Sequence, residues 1–137
     1  MKILVAVDPS DTAHIAVAKA AEIAKKEKAP LTLLAVAETF QDIESLFGED
    51  ASERLKQRAS AALDAAMAIA QAAGVKPKLM LKTGVSPEDI IVDAAEKGGM
   101  DLVVMGTRSK KGKAKLRLGS VASKVVALAP CSVLVVR

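Results

Sequence analysis

Apolar residues recur along this chain in two rhythms. Some stretches are short, unbroken runs of branched aliphatics; others are longer and return an apolar position every three or four residues. The first rhythm predicts buried strands and the second amphipathic helices. Lys2 to Val7 is continuous in Ile, Leu and Val and stops at the turn signal Asp8, Pro9, Ser10, so it reads as a strand. A helix follows, capped by Ser10 or Asp11, with Ile15, Ala16, Ala20, Ile23 and Ala24 at helical spacing and Lys25, Lys26 and Lys28 crowding its end before Pro30. Leu31 to Ala37 is a second buried strand. The polar stretch Glu38 to Asp50 predicts a loop or a short irregular helix.

From Ala51 to Ala73 an alanine-rich segment carries Leu55, Ala59, Leu63, Ala66, Met67 and Ala70 on one face and ends at Gly74, which predicts a long helix. Lys78 to Lys82 alternates polar and apolar positions, the pattern of a strand with one buried face near a sheet edge. Ser86 as cap, Pro87 at the first helical position and Glu88 and Asp89 in the first turn start another helix, which the Gly98–Gly99 pair stops. Leu102 to Met105 is a strand, Ser120 to Leu128 a helix and Ser132 to Val136 a final strand.

Strand and helix thus alternate from end to end without internal repeats. That order predicts one α/β domain over residues 1–137, a doubly wound, five-stranded, mostly parallel sheet of the Rossmann-like type with right-handed crossovers and helices on both faces. In such sheets a ligand crevice lies beyond the carboxyl ends of the strands, where the strand order reverses. Two loops are chemically equipped for that place: Asp8 to Ser10 after the first strand and Gly106 to Ser120 after the fourth.

Composition narrows the picture. The chain has 137 residues, ample for one core, and is 51% hydrophobic, yet its only aromatics are Phe40 and Phe47. Base-stacking platforms for nucleic acid are therefore not expected. No stretch approaches 18 uninterrupted apolar residues and Met1 opens directly on a strand, so the expectation is a cytoplasmic protein with no membrane span. Cys131 is the only cysteine and sits in an apolar run, as a small core residue would. His14, the only histidine, falls inside the first helix, and a His/Cys metal site is excluded by count.

The net charge of +4 is unevenly spread. Eight bases and no acid follow Asp101, which leaves twelve bases against sixteen acids in the first 101 residues. A local positive field of this kind suggests an anionic partner at that place. Its centre is the loop from Met105, Gly106, Thr107, Arg108 and Ser109 through Gly112 to Gly119, Ser120 and Val121. Glycines let backbone approach a ligand, and the free N–H groups that open the Ser120 helix favour a phosphate. The alternative reading gives Gly106 to the turn, Gly119 to the helix start and the lysines to solubility.

In these segments the sequence resembles the universal stress protein family. The resemblance covers Ile3 to Asp8, Leu31 to Val36, Gly84 to Pro87 with the Ile90–Ile91 helix, and Cys131 to Val136. Most specific is the loop, because nucleotide-binding members show glycine, two residues, glycine, nine residues, glycine, then Ser or Thr. Those positions are Gly106, Ser109, Gly119 and Ser120, so one motif glycine is replaced by serine. A serine there either narrows the space for ribose or phosphate or donates its hydroxyl to a phosphate oxygen.

The resemblance implies an adenine-nucleotide-binding regulatory protein, its ligand ATP, ADP or AMP, with the phosphates on the Gly106 to Ser120 loop. It also implies that Ala35 and Val36 flank the adenine. Val7, Asp8, Pro9 and Ser10 complete the expected site; Asp8 has two open roles, a ligand to ribose, adenine or a phosphate-bound Mg²⁺, and a helix cap. The resemblance further implies a homodimer through the strand 132–136, and an apolar edge strand has an independent motive to pair. With no G-x-x-x-x-G-K-[ST] loop present, ATP hydrolysis is expected to be slow at most. The competing class is a scaffold of the same fold that binds no nucleotide and acts through protein contacts.

Overall fold

In the computed structural model, which describes residues 1–107 and 118–137, the strands are β1 (Ile3–Val7), β2 (Leu31–Glu38), β3 (Lys78–Gly84), β4 (Leu102–Gly106) and β5 (Ser132–Val136). The helices are α1 (Asp11–Glu27), α2 (Ile43–Phe47), α3 (Ala51–Ala72), α4 (Pro87–Lys97) and α5 (Ser120–Leu128). Arg108, Ser109 and Gly112, expected in the site, lie outside the described residues.

All four strand pairings are parallel and the sheet order is β3-β2-β1-β4-β5. The chain winds outward from β1 to β3, returns to β4 beside β1, and winds out the other way, so the order reverses between β1 and β4. The registers Val5↔Leu33 and Val5↔Val104 align the three central strands; β1 and β4 finish together, while β2 runs on past Ala35, the partner of Val7, to Glu38. Because successive side chains alternate faces, Ile3, Val5 and Leu33 pack under α1 and α3, whereas Leu4, Leu34 and Val103 pack under α4 and α5. The helix faces that cover them are built largely of alanine, among them Ala16, Ala20, Ala59 and Ala66, which lets helix and sheet approach closely.

Local chemistry selects the boundaries. Ser10, not Asp11, caps α1: its hydroxyl oxygen accepts the Ala13 N–H at 3.2 Å, while Asp11 lies within the first turn. Asp8 takes a related part, its Oδ1 accepting the Ser10 N–H at 2.8 Å and fixing the turn that leads into the helix. Lys28 closes α1 in the left-handed conformation, and Gly74, at φ 82°, follows the end of α3 as expected. Ser86 occupies the N-cap position of α4, but its side chain makes no capping hydrogen bond. There Pro87 and the first-turn acids Glu88 and Asp89 carry the start, and Glu88 pairs with Lys124 of α5 at 3.1 Å.

β3 departs from the alternating pattern. Neither of its faces is well buried: Leu79 and Leu81 remain 39% and 42% exposed, and Met80 is the residue that packs against the α4 and α5 core. The reason is positional, since β3 is an edge strand and the helices that cover its neighbours reach over it only in part.

Candidate functional site

A cavity of about 610 Å³ opens at the carboxyl ends of β1, β2 and β4, where the strand order reverses. Its floor is apolar. Ala6 comes from β1, Leu34 and Val36 from one face of β2, Met105 from β4 and Ile91 from α4. Its rim is polar: Asp8 follows β1, Glu38 ends β2, and Thr107 follows β4. Opposite these, Gly119, Ser120 and Val121 bring in the first turn of α5.

The two ends of the glycine loop are held in different ways. Gly106 lies against α1, where a Cβ on it would sit 2.6 Å from the Thr12 carbonyl carbon and 2.7 Å from the Thr12 oxygen. No side chain fits, so this glycine is required by the seating of β4 on α1. Thr12 completes the contact by donating its buried hydroxyl to the Thr107 carbonyl, and Thr107 N–H donates to the Val136 carbonyl at 3.0 Å, tying the loop's start to β5. At Gly119 a Cβ would meet nothing within 4 Å. That position borders open space on the cavity side.

Gly119 is also the N-cap of α5, with φ −65° and ψ 163°, and glycine has no side chain with which to cap. The first-turn N–H groups of Ser120, Val121 and Ala122 have no acceptor within the helix, and all three residues line the cavity. Helix α1 starts nearby but has its own serine cap. An apolar slot ending in uncapped helix amides, at the positive end of a helix dipole, suits a flat apolar group joined to an anion.

Of the residues expected in the site, Val7, Asp8, Val36, Met105, Gly106, Thr107, Gly119, Ser120 and Val121 line this cavity. Ala35 does not; it faces the α1 and α3 layer, where with Pro9 and Ser10 it lines a second hollow of about 470 Å³ that also touches Leu55 and Arg58. The reason is the period of two along β2, which puts Leu34 and Val36 on one face and Ala35 on the other. That alternation is readable in the sequence and would have put Leu34 in place of Ala35. Glu38, Pro87 and Ile91 were not expected in the site; Pro87 and Ile91 fall in a segment that carries the family resemblance, but it is the parallel order of β2 and the placement of α4 that bring all three to the cavity. Among the described residues no group of three or more His, Cys, Asp or Glu gathers as a metal site, and no helix is long and apolar enough to cross a membrane. Burial pushes the thiol of half-buried Cys131 above its ordinary value, with the Asp101 charge acting in the same direction, so it is not poised as a nucleophile.

This architecture has close counterparts. A universal stress protein of Methanocaldococcus jannaschii is 37% identical over 143 residues, covering 99% of this chain and 81% of that protein. The solved structure of the universal stress protein UspA from Lactobacillus plantarum superposes with a TM-score of 0.81 at 31% identity, covering 100% of this chain and 97% of that one. Two further solved structures are complexes: a universal stress protein with cAMP (TM-score 0.74, 26% identity, 100% and 96% covered) and the universal stress protein of Archaeoglobus fulgidus with dAMP (0.73, 26%, 100% and 98%). The model of the universal stress protein family matches residues 1–137. With matching sequence and fold along its whole length, the chain belongs to the universal stress protein family.

Proposed function

We propose that this protein is a cytoplasmic regulatory domain that binds an adenine nucleotide, ATP, ADP or AMP, in the cavity between β1, β2, β4 and α5. The observation that carries the reading is the uncapped start of α5 opening into a slot with an apolar floor. The purine ring would lie against Leu34, Val36, Ile91 and Met105. The phosphates would take the N–H groups of Ser120, Val121 and Ala122, joined by the Ser120 hydroxyl. Family members solved with cAMP and dAMP support the choice of base.

The loop 106–120 would supply the counter-charge: its sequence holds Arg108, Lys110, Lys111, Lys113, Lys115 and Arg117 and no acid. Ser109 and Gly112 belong to this phosphate-binding segment, which the bound nucleotide would order into a surface that a partner reads. Asp8 keeps one carboxylate oxygen on the Ser10 N–H and presents the other to ribose or to a Mg²⁺ carried by the phosphates. A single protein carboxylate fits a metal that phosphate and water ligate otherwise.

The working form would be a homodimer through β5. That strand is one outer edge of the sheet, and its residues Ser132 to Val136 are exposed or only partly buried. Calorimetric titration with AMP, ATP plus Mg²⁺, and GTP tests the binding reading. Saturable heat with an adenine nucleotide that exceeds the heat with GTP is the expected result; no heat with any of them, in protein free of carried-over ligand, would favour the scaffold.

A further inference from the structure

The connection between β2 and α3 has a composition unlike the rest of the chain. Residues 38–53 hold six acids, Glu38, Asp42, Glu44, Glu49, Asp50 and Glu53, and no base, in a protein whose net charge is +4. The same stretch holds both of the chain's aromatic residues. Folding leaves them outside: Phe40 is 41% and Phe47 61% exposed, next to Leu46 at 68%. All six acids are exposed too.

These rings are ordered on the surface. Phe40 and Phe47 meet edge to face with centroids 5.7 Å apart. Arg54 of α3 fixes the far end of α2, donating to the Phe47 carbonyl at 3.0 Å and pairing with Asp50. At the near end Thr39 N–H donates to the Gly84 carbonyl at 2.8 Å, which ties the start of this connection to the end of β3. Phe40, Leu46 and Phe47 together leave an exposed apolar area on the order of 300 Å², the scale of the largest apolar patch on a monomer, which is often functional. Among the described residues only Asp50 of the six acids has an ion-pair partner.

From this we propose that the α2 surface is a docking site for a basic amphipathic segment of another protein, with apolar side chains seated on Phe40, Leu46 and Phe47 and lysines or arginines over the surrounding carboxylates. Charge decides the occupant. An acidic rim repels anionic lipid surfaces and nucleic acid, and attracts a cationic peptide while leaving the aromatic centre to supply affinity. Pre-ordered rings lose little freedom on binding, as anchor residues require. The surface does not depend on nucleotide binding, although Glu38 stands at the rim of both sites.

The test uses the whole protein and a fluorescein-labelled helical peptide patterned in leucine and lysine, followed by anisotropy. A leucine and glutamate peptide of the same pattern and vesicles of phosphatidylcholine with phosphatidylglycerol are the comparisons. The expected result is saturable micromolar binding of the lysine peptide only, weakened about tenfold by Phe47→Ser, with amide shifts confined to residues near 38–54. The double variant Glu44→Lys/Glu49→Lys keeps the apolar centre and should weaken binding as well, while both variants keep the parent's thermal unfolding. The inference is overturned if the lysine peptide does not bind, if both peptides bind alike, if either variant binds as the parent does, or if the vesicles compete.

Discussion

Replacing Gly106 with alanine isolates a packing demand from a ligand demand. Ordinary contacts of a Cβ lie at 3.4 Å or beyond, and the new methyl would meet the Thr12 carbonyl carbon at 2.6 Å, so β4 and α1 must part by about 0.8 Å. Because the obstacle is helix backbone, no rotamer change relieves it. Overpacking of this kind costs about 1–3 kcal/mol, and spreading the two elements weakens the buried bond from Thr12 to Thr107, adding about 1 kcal/mol. The lower freedom of alanine in the unfolded chain returns about 0.4–1 kcal/mol. A net loss of about 1–3.5 kcal/mol corresponds to a Tm lowered by roughly 3–12 °C at this chain length.

Urea unfolding at matched m-values, with calorimetry, reads the loss directly. Gly119→Ala is the matched control: its methyl meets no protein atom, so its cost should not exceed the ~1 kcal/mol by which alanine is a poorer N-cap than glycine. If Gly106→Ala were within about 0.5 kcal/mol of the parent, the close seating of β4 on α1 would be refuted, and Gly106 would have to be explained by the ligand alone.

Other perturbations separate the site from the scaffold. Gly119→Val projects two methyls into the space before the α5 amides; calorimetry should show adenine-nucleotide affinity down at least about tenfold with the fold intact, and parent-like binding would put the phosphates elsewhere. Leu33→Ala empties a fully buried position on β2 beneath α1 and α3 and should cost about 2–5 kcal/mol in denaturant unfolding. Glu88 is held below the usual carboxylate range, first by its own backbone N–H and then by Lys124. A depressed folded-state value stabilises above the unfolded value and is lost as pH falls through the folded one, so the stability gap between parent and Glu88→Gln should be present at pH 7 and close in acid; a gap unchanged in acid would contradict the pairing. Cys131 should react with iodoacetamide at pH 7 more slowly than a free thiol, and equal rates would show that it is not shielded.

The elements themselves were legible because each is written in a local period. Unbroken aliphatic runs gave β1, β2, β4 and β5, and alanine spacing gave α1 and α3 to within a residue or two. The reversal of winding was expected from alternation alone, and with it the place of the crevice. Tertiary structure decided what local patterns do not encode. Which of two turn residues caps α1 depended on the bond from Ser10 to Ala13, and the half-exposed leucines of β3 depended on where the covering helices end.

The same division runs through the site. Asp8, Gly106, Gly119 and Ser120 stood out by residue type, but the sequence could not tell a glycine that must clear a helix backbone from one that borders open space. Glu38, Pro87 and Ile91 come from segments distant in sequence from the glycine loop, and only the sheet order places them around one cavity. Periodicity reports which face of an element is apolar; what stands opposite that face is set by packing among elements far apart along the chain.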